Sequence, residues 1–426
     1  MQASTTTATG ASSTVRVGFH GIRGAFAEEA IKRLHHLHTT GPLFSTPLFS
    51  SRSVSLSTAP FERLDTLISA LLDSRTIDHV ILPLENIRSG MINSTIDLLV
   101  HHQRDPNPEQ RLFITGEFVY DERYCLVANP EADSLDNITE IWSHPDVLAQ
   151  CHDFISNLPQ NKRGENGGVV YVHRQNSAAC ARDLASVAHA SRLEYAKNAK
   201  LYSMLNRTSR SIPTWSRAKG DDLLAMPQRC AAIAGKNAAA IYGLKVLCED
   251  ITATQSGSGS GTPAVSSAAV NRLSNLTRYV IVSRQPVIPE RHLIPKTSIA
   301  LSVPNATGIL FKILGSFAMR DINVCRLETR QPRAPSANTG DDDGEAGEAG
   351  GDGLARWEPK HRAAVHGSWE YTILLDIDGA AAPSSAGGDD NVLRAVENLR
   401  EFSKQVIVLG QYPRYTSVYP AASRQF

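Results

Sequence analysis

The sequence has no surplus of charge and no long apolar run, and each absence excludes a class of function. Lys and Arg together number 43, as do Asp and Glu, so the formal net charge at neutral pH is zero. A neutral chain does not favour the phosphate backbone of nucleic acid or an anionic membrane surface as a partner. No apolar run approaches the roughly 18 residues needed to cross a bilayer. We therefore expect a soluble protein that binds neither nucleic acid nor membrane.

Paired cysteines are also missing. The six cysteines are scattered, and no two have the spacing of a CxxC motif. This distribution favours isolated thiols in a reducing compartment over a disulfide framework or a zinc site. The sequence has no P-loop, and Gly21 and Gly24 are too close together for the dinucleotide-binding fingerprint, which counts against nucleotide-using enzymes.

Stretches of biased composition divide the chain. Residues 1–14 are rich in Ser, Thr and Ala and are predicted to form a disordered tail. Prolines in and around 287–296 indicate a linker. Residues 334–366 hold acidic side chains among glycines and alanines, which predicts a disordered insertion rather than a metal site. These segments delimit two domains, at 15–286 and 297–418.

Apolar periodicity predicts the fold class of each domain. In 15–286, short β-like runs alternate with amphipathic helical patterns, which predicts an α/β architecture. Residues 297–418 show the order βαββαβ. Within the first domain we expect a loop at 39–60 and an alanine-rich helix at 231–241, capped near Gly243. The first helix of the second domain is expected to bury four residues: Leu310, Ile313, Leu314 and Phe317.

Five short segments carry a resemblance to a known family. Asn275-Leu-Thr-Arg-Tyr279, which enters a strand, is similar to a Thr-Arg-Phe signature, and Pro83-Leu-Glu-Asn86 is similar to a Pro-Ile-Glu-Asn-Ser segment. The glycine turn at 21–26, the stretch SHPDVLAQC at 143–151 and the Ser177-Ala178 pair at a helix start follow the same pattern. Together, and in their order along the chain, these segments resemble the prephenate and arogenate dehydratases.

The second domain extends the resemblance over nearly the whole chain. Residues 307–330 resemble the regulatory ACT domain that is fused to these enzymes, and 409–415 is similar to their terminal Leu-Gly-Ser-Tyr-Pro. Segments 143–151 and 230–243 look closest to the plant-type arogenate dehydratases.

The resemblance implies a fold and a reaction. The catalytic domain would have two α/β lobes around a cleft, like a periplasmic binding protein, and a ferredoxin-like ACT domain of order βαββαβ would follow. The lobes would comprise 15–115 with 229–286, and 116–228. The implied reaction removes water and carbon dioxide from arogenate or prephenate to give phenylalanine or phenylpyruvate, and it needs neither a metal nor an organic cofactor. A lyase of phenylalanine biosynthesis is expected in the plastid stroma or the cytosol.

The resemblance also implies site residues. Thr277 is expected to serve the departing hydroxyl as a hydrogen-bond donor or a proton relay, because a threonine hydroxyl is a poor acid by itself. On a strand, Arg278 points to the opposite face. Its expected contact with a substrate carboxylate therefore requires an irregular strand or a guanidinium that reaches round. The other expected substrate contacts are Asn86, Glu85, Ser177, Ala178 and Gly24.

In the ACT domain, the resemblance implies two segments that bind phenylalanine as a feedback effector. They are Gly308-Ile309-Leu310 and Glu328-Thr329-Arg330. Such binding implies a homo-oligomer, a dimer or a tetramer, with ligand sites at its interfaces. Ile309 is bulkier than the small residue usual in the family, and the 334–366 insertion follows closely on Arg330.

Single positions depart from the family pattern, and a second class of function stays open. Ala27 removes a hydroxyl near the first glycine turn, Ile87 replaces a Ser, and Tyr279 replaces a Phe, which is expected to be a mild change. The alternative function is a noncatalytic sensor, in which a two-lobed domain and an ACT domain bind an amino acid. The Thr277-Arg278 pair favours the enzyme, because a sensor has no need of it. Between the two substrates, the sequence leans toward arogenate.

Overall fold

The computed structural model describes two compact units. Unit 1 consists of residues up to Leu98, Thr115–Arg284 and the chain from Tyr415, and unit 2 consists of Leu99–Ile114 and Gln285–Arg414. The described residues are 14–40, 48–49, 53–73, 75–132, 134–162, 169–174, 176–197, 229–252, 275–287, 289, 295–330, 370–381 and 389–415. The predicted tail before Thr14 and the insertion at 334–366 lie outside them.

The described residues form strands and helices with the following bounds. The strands are β1 (Thr14–His20), β2 (Ser55–Phe61), β3 (His79–Asn86), β4 (Gly90–Met91), β5 (Phe113–Asp121), β6 (Tyr124–Ala128), β7 (Glu140–Ser143), β8 (Val170–His173), β9 (Cys230–Gly235), β10 (Lys245–Cys248), β11 (Leu276–Ser283), β12 (Pro295–Pro304), β13 (Val324–Arg330), β14 (Glu370–Asp378) and β15 (Gln405–Pro413). The helices are α1 (Phe26–Thr40), α2 (Leu64–Asp73), α3 (Asn93–Gln103), α4 (Pro145–Gln150), α5 (His152–Ser156), α6 (Pro159–Lys162), α7 (Ser177–Lys197), α8 (Lys236–Tyr242), α9 (Ile309–Ala318) and α10 (Asp390–Arg400).

Unit 1 is built on two sheets. The first has the order β5-β11-β3-β1-β2, with β4 beside β3, and the second has the order β10-β6-β9-β7-β8. Strand β1 pairs in parallel with β2 and β3, whereas β11 runs antiparallel to β3. Each sheet has its own apolar core, with Phe19, Ile31 and Phe118 under the first and Leu126, Ile141 and Ile233 under the second. This arrangement confirms the predicted α/β architecture with two lobes.

The predicted division between the lobes is wrong for β9 and β10 and correct for β11. Strands β9 and β10 belong to the second sheet, where β9 lies between β6 and β7, and only β11 returns to the first sheet. The predicted helix at 231–241 is wrong for the same reason. All six residues of β9 are buried, so pairing on both sides outweighs the helix propensity of its alanines. The helix begins only at Lys236, and it ends at Gly243 in the left-handed conformation, as predicted.

The predicted loop at 39–60 is also wrong in part. Strand β2 begins at Ser55 and pairs in parallel with all seven residues of β1. Its sequence, SLSTAPF, is neither strictly alternating nor rich in β-branched side chains. Pro60 is tolerated because β2 is the edge strand, where a missing backbone N–H costs little stability. The pairing with β1 determines this strand more than its own composition does.

Unit 2 has the predicted order βαββαβ. Elements β12, α9, β13, β14, α10 and β15 follow one another, and the sheet order is β13-β14-β12-β15 with antiparallel pairs throughout. Both helices pack on one core that includes Ile299, Phe317 and Leu399. Strand β12 begins at Pro295, within the predicted linker.

The predicted inward face of α9 is wrong at two of four positions. Ile313 and Phe317 are fully buried, but Leu310 is 44% exposed and Leu314 is 40% exposed. The sequence of α9, ILFKILGSFA, is apolar nearly all round, so periodicity alone does not select the buried side.

Candidate active site

Strand β11 presents neighbouring side chains to opposite faces of the first sheet. Thr277 pairs with Asn86 and Arg278 with Glu85, and the register with β3 shifts only after Arg278. Because side chains alternate along a strand, Thr277 and Tyr279 share one face and Arg278 lies on the other. Each face carries its own buried polar cluster.

The Thr277 hydroxyl is held between an amide and a carboxyl group. Asn86 Nδ2 donates to Thr277 Oγ1 at 2.8 Å, and the Glu122 carboxyl group is close enough for Thr277 to lower its pKa. Thr277 is only 1% exposed. A substrate therefore reaches this hydroxyl only if neighbouring side chains move.

Asn86 uses its whole hydrogen-bonding capacity inside the protein. Its Nδ2 also donates to Asn275 Oδ1 at 2.9 Å, and its Oδ1 accepts from the backbone N–H groups of Arg88 and Ser89 at 2.8 and 3.0 Å. An amide offers two donors and two acceptor sites, so this set is complete. The geometry makes Asn86 an orienting group for Thr277 and for the turn after β3, rather than the direct contact with the substrate that the resemblance implies.

Glu122 is the buried acid of this cluster, and sequence reasoning missed it. The Tyr279 hydroxyl donates to Glu122 Oε1 at 2.6 Å, and the Tyr124 hydroxyl donates to Oε2 at 3.3 Å. Burial is the main cause that raises the pKa of Glu122 above its usual value, whereas the hydrogen bonds from Tyr279, Thr277 and Tyr124 lower it. The replacement of Phe by Tyr279 was the available signal, because a buried phenolic hydroxyl needs a partner. The replacement adds a buried hydroxyl that donates to Glu122.

Arg278 lies in an ion-pair cluster on the opposite face of β11. Its Nη2 is 2.6 Å from Glu117 Oε2, its Nε donates to the same oxygen at 2.7 Å, and its Nη1 donates to Glu85 Oε1 at 3.2 Å. The backbone N–H of Tyr415 donates to the other Glu117 oxygen at 3.1 Å. Neither an irregular strand nor a guanidinium reaching round brings Arg278 to the Thr277 face. Its donors serve two protein carboxylates, so Arg278 is badly placed for the predicted substrate carboxylate.

Gly24 has a structural explanation in this fold. Its φ of +86° lies in the left-handed region, and an added Cβ would come within 3.0 Å of the Ala238 backbone. Its N–H donates to Glu28 Oε2 at 2.7 Å. Because Glu28 already occupies this donor, the N–H of Gly24 is not available for the substrate carboxylate that was predicted there.

The predicted pair Ser177 and Ala178 begins helix α7. Asn176 Oδ1 accepts from the N–H of Ala179 at 2.8 Å and so caps this helix. Ser177 is 9% exposed, and Ala178 packs with Ile22 in a small apolar cluster. The pair thus lies at the start of the helix, as predicted, and both residues are buried.

A cavity of about 570 Å³ lies beside the first turns of α7. Its lining includes His144, His173, Arg174, Arg182 and Asp183. Asp183 pairs with Arg174 at 3.4 Å and with Arg182 at 3.0 Å, and the Arg174 guanidinium stacks 4.5 Å above the Trp142 ring. Arg182 also pairs with Glu62 at 3.4 Å, so the two arginines beside this cavity have two carboxylate partners. Arginine side chains of this kind can still bind an anionic ligand.

In unit 2, the predicted effector residues lie at two places. Gly308 precedes α9 with a φ of +76°, and Ile309 and Leu310 are the first two residues of that helix. Glu328, Thr329 and Arg330 end strand β13, which is the edge of its sheet.

The described part of the chain contains no group of three or more His, Cys, Asp or Glu side chains that could hold a metal ion. All six cysteines are free, and burial raises the pKa of the Cys151, Cys180 and Cys230 thiols to about 12. Such thiols are protonated and unreactive at neutral pH. Among the described helices, none is long and apolar enough to cross a membrane.

Comparison with known proteins identifies relatives along most of the chain. The profile of the family described as Prephenate dehydratase matches residues 17–167. The chain is 25% identical to Arogenate dehydratase/prephenate dehydratase 2, chloroplastic, of Arabidopsis thaliana over 409 residues, which cover 95% of this chain and 74% of that protein. It is 26% identical to Arogenate dehydratase 2 of Petunia hybrida, with 94% of this chain and 72% of that protein covered.

Two solved structures share the fold. Prephenate dehydratase from Arthrobacter aurescens in complex with L-Phe superposes with a TM-score of 0.54 at 22% identity, covering 94% of this chain and 90% of that one. GqqA, described as a novel type of quorum quenching acylase, superposes with a TM-score of 0.54 at 21% identity, covering 94% and 98%. At these identities, the likeness establishes the fold and not the reaction.

Proposed function

We propose that this chain is a member of the prephenate dehydratase family and a carbon–oxygen lyase that acts on arogenate, prephenate or both. The product would be phenylalanine or phenylpyruvate, with loss of water and carbon dioxide. The observation that carries this proposal is the buried Thr277 hydroxyl, which accepts a hydrogen bond from Asn86 beside the buried Glu122, in the segment that resembles the family's Thr-Arg-Phe signature.

The chemistry requires one well-placed donor. As the ring carboxylate leaves as carbon dioxide, the electron pair of the broken C–C bond enters the ring, the ring becomes aromatic, and the C–O bond to the hydroxyl breaks. Negative charge develops on the departing oxygen, and a hydrogen bond from Thr277 stabilises it. One positioned donor of this kind lowers a barrier by about 3 kcal/mol.

We assign Arg278 a positioning role. Its ion pairs with Glu117 and Glu85 tie β11 to β5 and β3, which fixes the strand that carries Thr277. For the substrate carboxylates we propose the cations of the cavity beside α7, Arg174 and Arg182. Ala179, two residues after Ser177, lines that cavity. The cavity is therefore next to the helix start at which the family resemblance implies an anion-binding site.

The substrate preference and the regulation are proposals from the relatives. Both plant relatives carry arogenate in their names, which supports arogenate as a substrate, with prephenate as the second. The bacterial structure holds L-Phe, which supports phenylalanine as an effector of this chain. We propose that unit 2 is an ACT domain that binds phenylalanine near Gly308 and β13 in a homo-oligomer. The chloroplastic relative supports a plastid location.

The experiment is turnover of purified protein, followed by ultraviolet absorbance, with arogenate and prephenate in parallel and with phenylalanine present or absent. Turnover of either substrate is expected, and the ratio of the two kcat/KM values defines the preference. The noncatalytic sensor is the alternative. It is supported if neither substrate reacts while phenylalanine still raises the melting temperature.

A further inference from the structure

The cluster around Thr277 contains an acid that the proposed reaction can use. The Tyr279 and Tyr124 hydroxyls donate to the Glu122 carboxyl group at 2.6 and 3.3 Å, and Thr277 is close enough to lower the pKa of that group. We propose that Glu122 is the proton reservoir of the dehydration, which passes its carboxyl proton to Thr277 as Thr277 gives its own to the leaving hydroxyl. This inference rests on the proposed dehydratase function and supplies the acid that a threonine hydroxyl cannot provide alone.

The surroundings of Glu122 favour its neutral form. The residue is 9% exposed, and none of the groups that contact its carboxyl in the described part of the chain carries a positive charge. Asp121 is the nearest acidic neighbour, and it raises the pKa of Glu122 further in the direction that burial sets. A buried carboxyl without a cation keeps its proton.

The hydrogen bonds that Thr277 accepts then determine whether its O–H donates to the leaving hydroxyl of the substrate. A hydroxyl oxygen accepts two hydrogen bonds and donates one. Asn86 Nδ2 donates to one acceptor site at 2.8 Å. A protonated Glu122 donates to the second, which leaves the Thr277 O–H for the leaving hydroxyl. An ionised Glu122 instead accepts the Thr277 proton and withdraws the donor from the substrate.

The proton count of the step balances. The C–O bond of the substrate breaks, and its oxygen takes the Thr277 proton to become water. In the same step, Thr277 takes the carboxyl proton of Glu122, so Thr277 ends unchanged and Glu122 becomes a carboxylate. The Tyr279 and Tyr124 hydroxyls, which already donate to the two carboxyl oxygens, stabilise that carboxylate. Solvent returns the proton to Glu122 after the product leaves.

This proton relay from Glu122 through Thr277 to the leaving hydroxyl has a defined pH dependence. The titratable groups that face Glu122 are Tyr279, Tyr124 and Asp121, and burial keeps both phenols protonated by raising their pKa values well above the usual range. Tyr120 and Cys151, the next neighbours of these phenols, are likewise neutral because burial raises the pKa of each. Turnover thus requires a protonated Glu122 and falls as the pH rises through its raised pKa.

The test is the pH profile of kcat for the wild type and for Glu122→Gln, with Glu109→Gln as a matched control at an exposed site. Glutamine keeps a donor toward Thr277 but carries no transferable proton. We expect Glu122→Gln to lose about 100-fold or more in kcat, which is the effect of losing a general acid. The fall of kcat at alkaline pH, its alkaline limb, should disappear in this variant. Its melting temperature should be unchanged or higher. Glu109→Gln should match the wild type.

A second variant covers the case in which Glu122→Gln does not fold. Tyr279→Phe removes one donor to the Glu122 carboxylate and keeps the ring that stacks on Phe118 at 5.4 Å. The alkaline limb of kcat should move up by about one pH unit. The relay is overturned if the wild type reacts while Glu122→Gln keeps its kcat or its alkaline limb, or if Tyr279→Phe leaves the limb in place. A wild type that turns over neither substrate overturns the proposed function itself, and the relay with it.

Discussion

The two faces of β11 carry buried carboxyl groups in opposite electrostatic settings. On one face, Glu122 accepts hydrogen bonds from two tyrosine hydroxyls, and burial raises its pKa. On the other, Glu117 pairs with the Arg278 guanidinium at 2.6 Å. The charge of the partner, together with burial, therefore determines whether a buried acid is ionised or protonated. An acid paired with a cation holds strands together, whereas an acid surrounded by hydroxyls keeps a proton that it can give away.

In the described part of unit 2, the buried carboxyl group of Asp376 lies in a cluster of the second kind. Asp376 is fully buried, and Arg326 Nε donates to its Oδ2 at 2.8 Å. Ser298 donates to the other oxygen at 2.5 Å and lies 2.6 Å from the Tyr412 hydroxyl. This cluster resembles the Arg278 side of β11, with a cation for its carboxylate. We therefore expect the chemistry in unit 1, and a structural or regulatory role for unit 2.

The largest expected effect comes from removing the cation on the Arg278 face. Arg278→Met leaves Glu117 and Glu85 without their partner, and loss of one member of a buried ion pair costs about 3–5 kcal/mol of unfolding free energy. Urea unfolding measures this loss. The matched control is Arg63→Met, whose exposed pair with Asp65 should contribute less than about 1 kcal/mol. Equal losses in the two variants would contradict the structural role of Arg278.

A smaller effect is expected from Asn86→Asp. The change keeps the oxygen that accepts from Arg88 and Ser89 but removes the amide that donates to Thr277. Loss of one orienting hydrogen bond should lower kcat by roughly tenfold, because a net hydrogen bond contributes about 1 kcal/mol. Steady-state kinetics measures the change. Asn107→Asp is the control, because Asn107 caps a short turn through its oxygen alone and is exposed.

The smallest expected effect is a difference in the pH dependence of stability. The folded-state pKa of Glu122 is raised above its ordinary value of 4.5, so folding takes up a proton there. The stabilisation is complete below the ordinary pKa and is lost as pH rises through the raised folded-state pKa, at up to about 1.4 kcal/mol per pH unit. Urea unfolding of the wild type and Glu122→Gln across this range should show the wild type losing stability relative to the variant. Parallel curves would mean that Glu122 is not protonated in the fold.

Sequence patterns predicted the faces of β11 but not what lies against them. Alternation along a strand places Thr277 and Arg278 on opposite faces, and the structure agrees. Glu122 falls between two predicted strands and meets Tyr279 from 157 residues away along the chain, a contact that no local pattern encodes. The same limit explains β9, whose alanines look helical until β6 and β7 pair with it on both sides.

The most direct test of the account is the turnover of Thr277→Ala beside Thr277→Ser. Alanine removes the hydroxyl that Asn86 and Glu122 hold, whereas serine keeps it. We predict that Thr277→Ala loses about 100- to 1,000-fold in kcat with arogenate and with prephenate, while its unfolding free energy stays within about 2 kcal/mol of the wild type. Thr277→Ser should retain most of the activity. A Thr277→Ala protein that is folded and as active as the wild type would contradict the assignment of the chemistry to this face of β11.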